Sequence, residues 1–552
     1  MNNWFKSGAP WIWMTAGAVA LSLVMVFAVL WLTAFRGLGH FWPKPVAEMQ
    51  FVEKDGKRIR LIGEIAEEQE VAVRRLVESG YRIEGTDVFT TRLLLKLGNR
   101  DVYGFDFRWY PRSLMGDITF PKDIVTIERR EWGNFYGHLK AVKEGDRVVA
   151  EGAQAAWPVL VERFERALRL FNEAHRIEKK DIGHINYKIE QLRLRERKLE
   201  LSNRITDADR AAIERERALW KAEFAKLQER LAQLRKDLDR DKLVAEVMDG
   251  KAVEVPLAKV ADVYQANAMG VFAKVSFYFG KLWDFIVDDP REANTEGGIF
   301  PAIFGTVMMV LLMAAMVTPL GVMAAVYMRE YAKQGQLIRL IRISVNNLAG
   351  VPSIVYGVFG LGFFVYFLGG SIDHLFFPEA LPAPTLGSPG ILWASLTLAI
   401  LTLPVVIVAT EEGLSRVPRS IREGSLALGA TKAETLWRTV LPMASPAMMT
   451  GLILAVARAA GEVAPLMLVG VVKLAPSLPL DGYFPYLHLE RKFMHLGFHI
   501  YDVGFQSPNV EAARPLVYAT ALLLVIVIVV LNLAAISLRN RLRERLKGLE
   551  GV

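Results

Sequence analysis

The chain has 552 residues, 52% of them hydrophobic, with a mean hydropathy of +0.24 and a formal net charge of +8. That is too long for one core, and the apolar residues lie in blocks, which points to a membrane protein carrying a soluble insertion. The absence of cysteine excludes disulfides and thiolate metal sites, and a basic excess concentrated in short loops beside apolar blocks argues for membrane orientation and against nucleic-acid binding.

Residues 7–35 contain no charged side chain, and Pro10 to Thr33 is long enough to cross about 30 Å of hydrocarbon. No small-residue cleavage site follows a short apolar core, so residues 1–35 are expected to be a retained helix, with Trp11, Trp13 and Trp31 near its ends. Residues 36–157 change character. Short alternating runs such as KRIRLIGEIA and DVYGFDFRWY, divided by Gly, Asn, Asp and Pro, predict a small β-rich domain without a catalytic constellation.

Residues 158–248 carry Ile185, Ile189, Leu192 and Leu199 at heptad-like spacing, then Trp220, Phe224, Leu227, Leu231, Leu234 and Leu238. With Thr206 or Asp207 as N-cap between them, these runs predict an antiparallel coiled-coil hairpin whose arms are each about 60 Å long. Residues 249–298 are expected to be a linker containing an amphipathic helix, Val271 to Ile286, that lies on the membrane surface because it is too short to cross.

Five further spans are predicted in residues 299–547: Phe300 to Met328, Asn346 to Leu368, Ile391 to Thr410, Ala444 to Gly470 and Pro515 to Leu538. Internal Pro319, Pro352, Pro404, Gly461 and Pro465 allow kinks and close approach. Lys and Arg crowd three segments: after the second span (Arg329, Lys333, Arg339, Arg342), between the fourth and fifth (Arg416, Arg419, Arg422, Lys432, Arg438), and in the tail, while residues 369–390 have none. The basic segments are therefore expected in the cytoplasm with both termini, leaving residues 36–298 outside.

The polar segment at 411–443, between the fourth and fifth spans, is expected to dock a partner. Within it EGSLALGATKAETLWRTVLP, Glu423 to Pro442, predicts a short helix, a turn at Gly429 and a second amphipathic helix. Gly424, Ser425 and Ala427 leave one face without bulk, and Leu426, Leu436 and Val440 are the expected apolar anchors. Gly424 and Gly429 are spaced as in a phosphate-binding loop, but no Lys follows, so nucleotide binding is not expected.

Charged residues at membrane depth mark pathways. Arg458, placed near the middle of the fifth span, and Glu462, one turn on, are the candidate substrate path, since a guanidinium fork suits a tetrahedral oxyanion; a purely structural ion pair is the alternative. Glu411 and Glu412, ending the fourth span, are a candidate gate or simply partners of nearby Arg416. His488, Glu490, His495 and His499 form a sparse cluster that is not expected to seat a metal.

The docking segment resembles the coupling loop of ABC importer permeases, with Glu423, Gly429, Leu441 and Pro442 at the family's spacing and Gly424, Ser425 and Thr439 departing from it. Together with GGIFPAIFGT, PLGVMAAVYMREYA, NLAGVPSIVYGVFG and ARAAGEVAPLMLVG, it makes residues 297–547 resemble the PstA-type permeases of bacterial phosphate-specific ABC transporters. The resemblance implies a six-helix type I importer permease fold in the inner membrane, pairing with a sister permease (PstC type), a dimer of ATPase subunits (PstB type) and a periplasmic phosphate-binding protein (PstS type). It also implies that the family's intramembrane Arg falls on Arg458, and that ATP and Mg act on the partner ATPase while this chain binds no cofactor and catalyses nothing itself. A permease for sulfate or molybdate, or a membrane-anchored sensor or scaffold built on the hairpin, are the alternative readings.

Overall fold

The computed structural model describes residues 7–83, 88–291, 296–507 and 510–550, and the chain divides into two units, residues 41–285 with 295–297, and the remainder.

The first unit is built on two antiparallel sheets. Strands β1 (Val46–Val52), β2 (Arg58–Ala72), β3 (Phe89–Lys96) and β4 (Phe107–Pro111) form a four-stranded meander in sequence order. Val46 pairs with Glu64 and Leu93 with Tyr110, and the alternation turns Ala47, Met49, Phe51, Leu61, Leu93 and Leu95 into one core. Strands β5 (Ile124–Arg129), β6 (Asn134–Glu144), β7 (Arg147–Glu151), β8 (Asp241–Glu246), β9 (Ala252–Pro256) and β10 (Val260–Tyr264) form a second sheet, ordered β10-β5-β6-β8-β9 with β7 also on β6.

Between β7 and β8 the chain leaves as helix α1 (Ala153–Arg176), continues into α2 (Ile182–Leu201) and returns as α3 (Asp207–Leu238). Thr206 caps α3, accepting from the Asp209 amide while the Asp209 carboxylate accepts from the Thr206 amide. Ala174, Ile177, Leu231 and Leu234 close the two arms on each other. The boundaries expected near 157 and 248 shift accordingly. Ala156, Leu160 and Ala167 of α1 belong to the core of the second sheet, and β8, β9 and β10 come from residues expected to be hairpin end and linker. Helix α4 (Val271–Val287) follows, with Lys281 held by Glu128 at 2.8 Å and Asp262 at 2.6 Å.

The second unit holds six helices that are, among the described residues, long and apolar enough to cross a membrane: Ala9–Phe41, Phe300–Tyr331, Ser353–Phe376, Ile391–Arg416, Lys432–Gly461 and Ala513–Arg541, numbered here spans 1 to 6. Met309, Met313 and Val317 of span 2, Leu398 and Leu401 of span 4, and Ala455 and Ala459 of span 5 form its main core. Spans 4 and 5 approach closely at Gly451, where an added Cβ would stand 2.5 Å from the Ala409 Cβ.

Two spans differ from expectation. Asn346 belongs to the amphipathic helix α5 (Gln336–Leu348), and span 3 begins only after Pro352, whose extended backbone starts a new helix. The fifth helix begins before Ala444, with a π-type turn at Leu436–Val440 running straight into it, and ends at Gly461. Glu462 is already extended, and Pro465 follows.

Candidate functional site

The segment between spans 4 and 5 folds as a compact helical elbow. Helix α6 (Arg419–Ala427) ends at Leu428, and Gly429 turns the chain at φ +88°, a conformation that a side chain resists. Thr431 then starts the next helix by accepting from the Glu434 amide, and its own amide donates to the Glu434 carboxylate. The Ser425 and Thr435 hydroxyls, 2.9 Å apart, join the two halves.

The elbow is fastened to the helical unit by charge. Arg422 lies 3.1 Å from Glu330 and donates to the Leu414 carbonyl at 2.6 Å. Lys432 donates to the Glu330 carbonyl and stands 4.6 Å from the centre of the Tyr331 ring. Leu436 and Val440, expected as outward anchors, instead pack inward with Leu414, Val417 and Ala444. The apolar residues left facing out are Leu426, Leu428 at 91% exposure and Trp437 at 75%. Glu423, Gly424, Ala427 and Gly429 are exposed beside them, Gly424 with nothing within 4 Å of an added Cβ, whereas Leu441 and Pro442 are half-buried at the start of the α-helical part of span 5, Leu441–Gly461. Leu428 and Trp437 escaped the sequence reading; the only signal for Leu428 was its place directly before the turning glycine.

Glu411 and Glu412 separate. The Glu411 carboxylate accepts from Arg342 of α5 at 3.1 Å, and Arg342 also donates to the Gln334 side chain at 3.0 Å. Exposed Glu412 meets Arg416 at 2.5 Å. The structure thus brings Glu411 to a helix that sequence spacing did not connect with it.

Arg458 lies in the last turn of the fifth helix, and not at its middle. That end of a helix carries a partial negative charge that favours a cation. Its Nε is 3.5 Å from a Glu462 carboxylate oxygen, with the two side chains 35% and 20% exposed. Glu462 is among the described residues the one acidic partner of Arg458. The guanidinium is therefore partly exposed and held by a single long ion pair.

The histidines of the segment after span 5 do not converge. His488 is buried between Asp481 at 3.0 Å and Glu490 at 3.1 Å, and Arg491 reaches Asp481 at 2.6 Å. His495 is wholly buried and caps the helix α7 (Leu496–Tyr501), accepting from the Gly497 amide at 3.1 Å. Among the described residues no group of three or more His, Cys, Asp or Glu could hold a metal ion.

Residues 317–548 match the family described as binding-protein-dependent transport system inner membrane component. Among curated relatives, phosphate transport system permease protein PstA 1 of Mycobacterium tuberculosis (strain CDC 1551 / Oshkosh) is 36% identical over 244 residues, 44% of this chain and 71% of the relative. PstA of Mycobacterium leprae (strain TN) is 35% identical over 296 residues, 53% of this chain and 86% of the relative. A solved structure described as inward-facing conformations of the MetNI methionine ABC transporter aligns at 18% identity and a TM-score of 0.33, over 48% of this chain and 98% of that one.

Proposed function

The chain belongs to the binding-protein-dependent transport system inner membrane components, as a PstA-type permease, and from that premise we propose that it forms, with a sister permease, the path by which an ATP-driven importer carries inorganic phosphate across the inner membrane. The observation that carries this reading is the 35% identity to a phosphate transport permease across 86% of that relative's length. The chain is a translocation subunit; nucleotide chemistry belongs to a partner ATPase of PstB type, with ATP and Mg acting there. A PstC-type sister and a PstS-type binding protein complete the assembly, with both termini in the cytoplasm and residues 36–298 in the periplasm.

Each element of the geometry has a part in alternating access. The exposed Leu426, Leu428 and Trp437 give the ATPase an apolar grip on the elbow, with Glu423, Gly424, Ser425 and Gly429 shaping the surface around it. The Arg422 and Lys432 contacts to residue 330 pass motion of the elbow to the end of span 2, and the continuous helix through Leu441 and Pro442 passes it to span 5. Along the path, Arg458 offers paired donors to a phosphate oxyanion, and Glu462 competes for the guanidinium so that the ion is held weakly enough to leave. Glu411, tied to Arg342, is the gate residue nearest the elbow.

Uptake of radiolabelled phosphate against sulfate and molybdate, by vesicles containing the co-purified complex, tests the reading. Phosphate accumulation that depends on ATP is the expected result; preference for another anion, or purification with no nucleotide hydrolase attached, would overturn it.

A further inference from the structure

Helix α4 has two unlike faces. On one, the Phe277 ring lies 4.5 Å from Tyr264, Lys281 bridges Glu128 and Asp262, and Phe285 lies 5.0 Å from Phe41. Lys281 is 17% exposed and Glu128 19%, so rolling the helix would part charges that water does not fully solvate. The face that points away is thereby set.

That outward face carries Phe272, Val275, Phe279, Trp283 and Val287, steps of three and four that form one stripe. Phe272 is 93% exposed, Phe279 62% and Trp283 65%. Trp42, 40% exposed, extends the stripe through its ring contact with Tyr278 at 6.0 Å. A contiguous aromatic surface of this kind is not left in water by a soluble domain.

The chain itself indicates what covers it. Phe41, which packs against the C-terminal end of α4, stands three residues after Leu38, the last residue of a 30-residue apolar helix. Val287 is followed within about a dozen residues by Phe300, the first residue of span 2. One apolar helix therefore ends three residues before a ring packed on α4, and another begins about a dozen residues after α4 itself. The stripe is built from Phe and Trp, the side chains that partition to the level of lipid headgroups, on a helix too short to cross. We infer that α4 lies flat in the bilayer interface with Phe272, Phe279 and Trp283 inserted, giving the unit of residues 41–285 a lipid contact of its own beyond its two covalent tethers.

Because the chain has no cysteine, a single introduced thiol is unique in it. Nitroxides on Phe272→Cys, Phe279→Cys and Trp283→Cys, in the full chain within its complex in phosphatidylcholine and phosphatidylglycerol vesicles, report collisions with oxygen and with a water-soluble nickel chelate. The oxygen-to-chelate ratio should be several-fold higher at these sites than at Leu219→Cys, an exposed position on α3. A ratio equal to that control would overturn the inference, as would protection from both reagents, the signature of a protein partner or a second copy on the stripe. As a measurement free of substitutions, the unmodified chain in vesicles with a headgroup-proximal diazirine phospholipid should be labelled within residues 271–287; absence of label there would equally overturn it.

Discussion

Arg422 and Glu330 meet at 3.1 Å, joining the first helix of the elbow to the end of span 2, ninety-two positions earlier in the chain. Both side chains are largely shielded, at 22% and 10% exposure, so the pair is more than surface decoration.

Removing one member of such a joint leaves the other poorly solvated, at about 1–3 kcal/mol. Glu330→Gln should lower phosphate uptake by roughly tenfold or more, while the complex still assembles and hydrolyses ATP. Parallel assays of uptake and hydrolysis by the same reconstituted vesicles check this; equal loss in both would mean that the joint serves assembly and not transmission.

Leu428→Asp should leave the permease folded, since the side chain is 91% exposed, yet abolish recovery of the ATPase in a pull-down. Leu428→Ala should weaken that association by roughly tenfold, the size of an ordinary interface anchor. Leu436→Asp, by contrast, places a charge at a position only 4% exposed and should reduce the amount of folded chain itself. Comparison of expression with co-purification separates the two effects.

Arg458→Ala should cut phosphate uptake by roughly 10- to 150-fold, corresponding to about 1.5–3 kcal/mol for a hydrogen bond to a charged group. Arg458→Lys should restore only part of it, because a single ammonium lacks the planar fork. Uptake kinetics on assembled complexes test both, and undiminished uptake by the Ala variant would remove Arg458 from the path.

His495 supplies a pH dependence. Complete burial lowers its imidazole from the ordinary 6.5 to about 4, so the folded chain keeps it neutral where the unfolded chain protonates it. The unfolded state then binds more protons between those values, and stability falls as pH drops from about 6.5 towards 4, by up to about 3 kcal/mol. Asn at 495 can accept the same helix-capping amide without titrating. Thermal unfolding from pH 7.5 to 5 should therefore show a smaller loss for His495→Asn than for the parent chain.

The hairpin can be tested by shortening it within residues 182–227, which spares Leu160 and Ala167 in the core of the second sheet, strand β8, and the closure at Ile177 and Leu231. The shortened chain should still recover its ATPase; loss of all partners would favour the scaffold reading. Excising 158–248 would be uninformative, since it removes β8 from the sheet.

The sequence by itself determined what depends on near neighbours. Apolar runs of spanning length, basic loops, the glycine turn at 429, the cap at Thr206 and the apolar repeat of the hairpin arms are all local, because a helix or a turn is dictated by residues a few positions apart. The tertiary structure alone decided which side of each element is covered. Leu436 and Val440 turned inward because Leu414 of span 4 and Val417 just after it lie against them, and Leu428 was left as the outward tip. Strands β8 and β10 joined the sheet because β6 and β5, roughly a hundred positions or more earlier, offered them edges. Glu411 found Arg342 for the same reason: burial and ion pairing are settled by elements distant in the chain, and the periodicity of one segment carries no information about them.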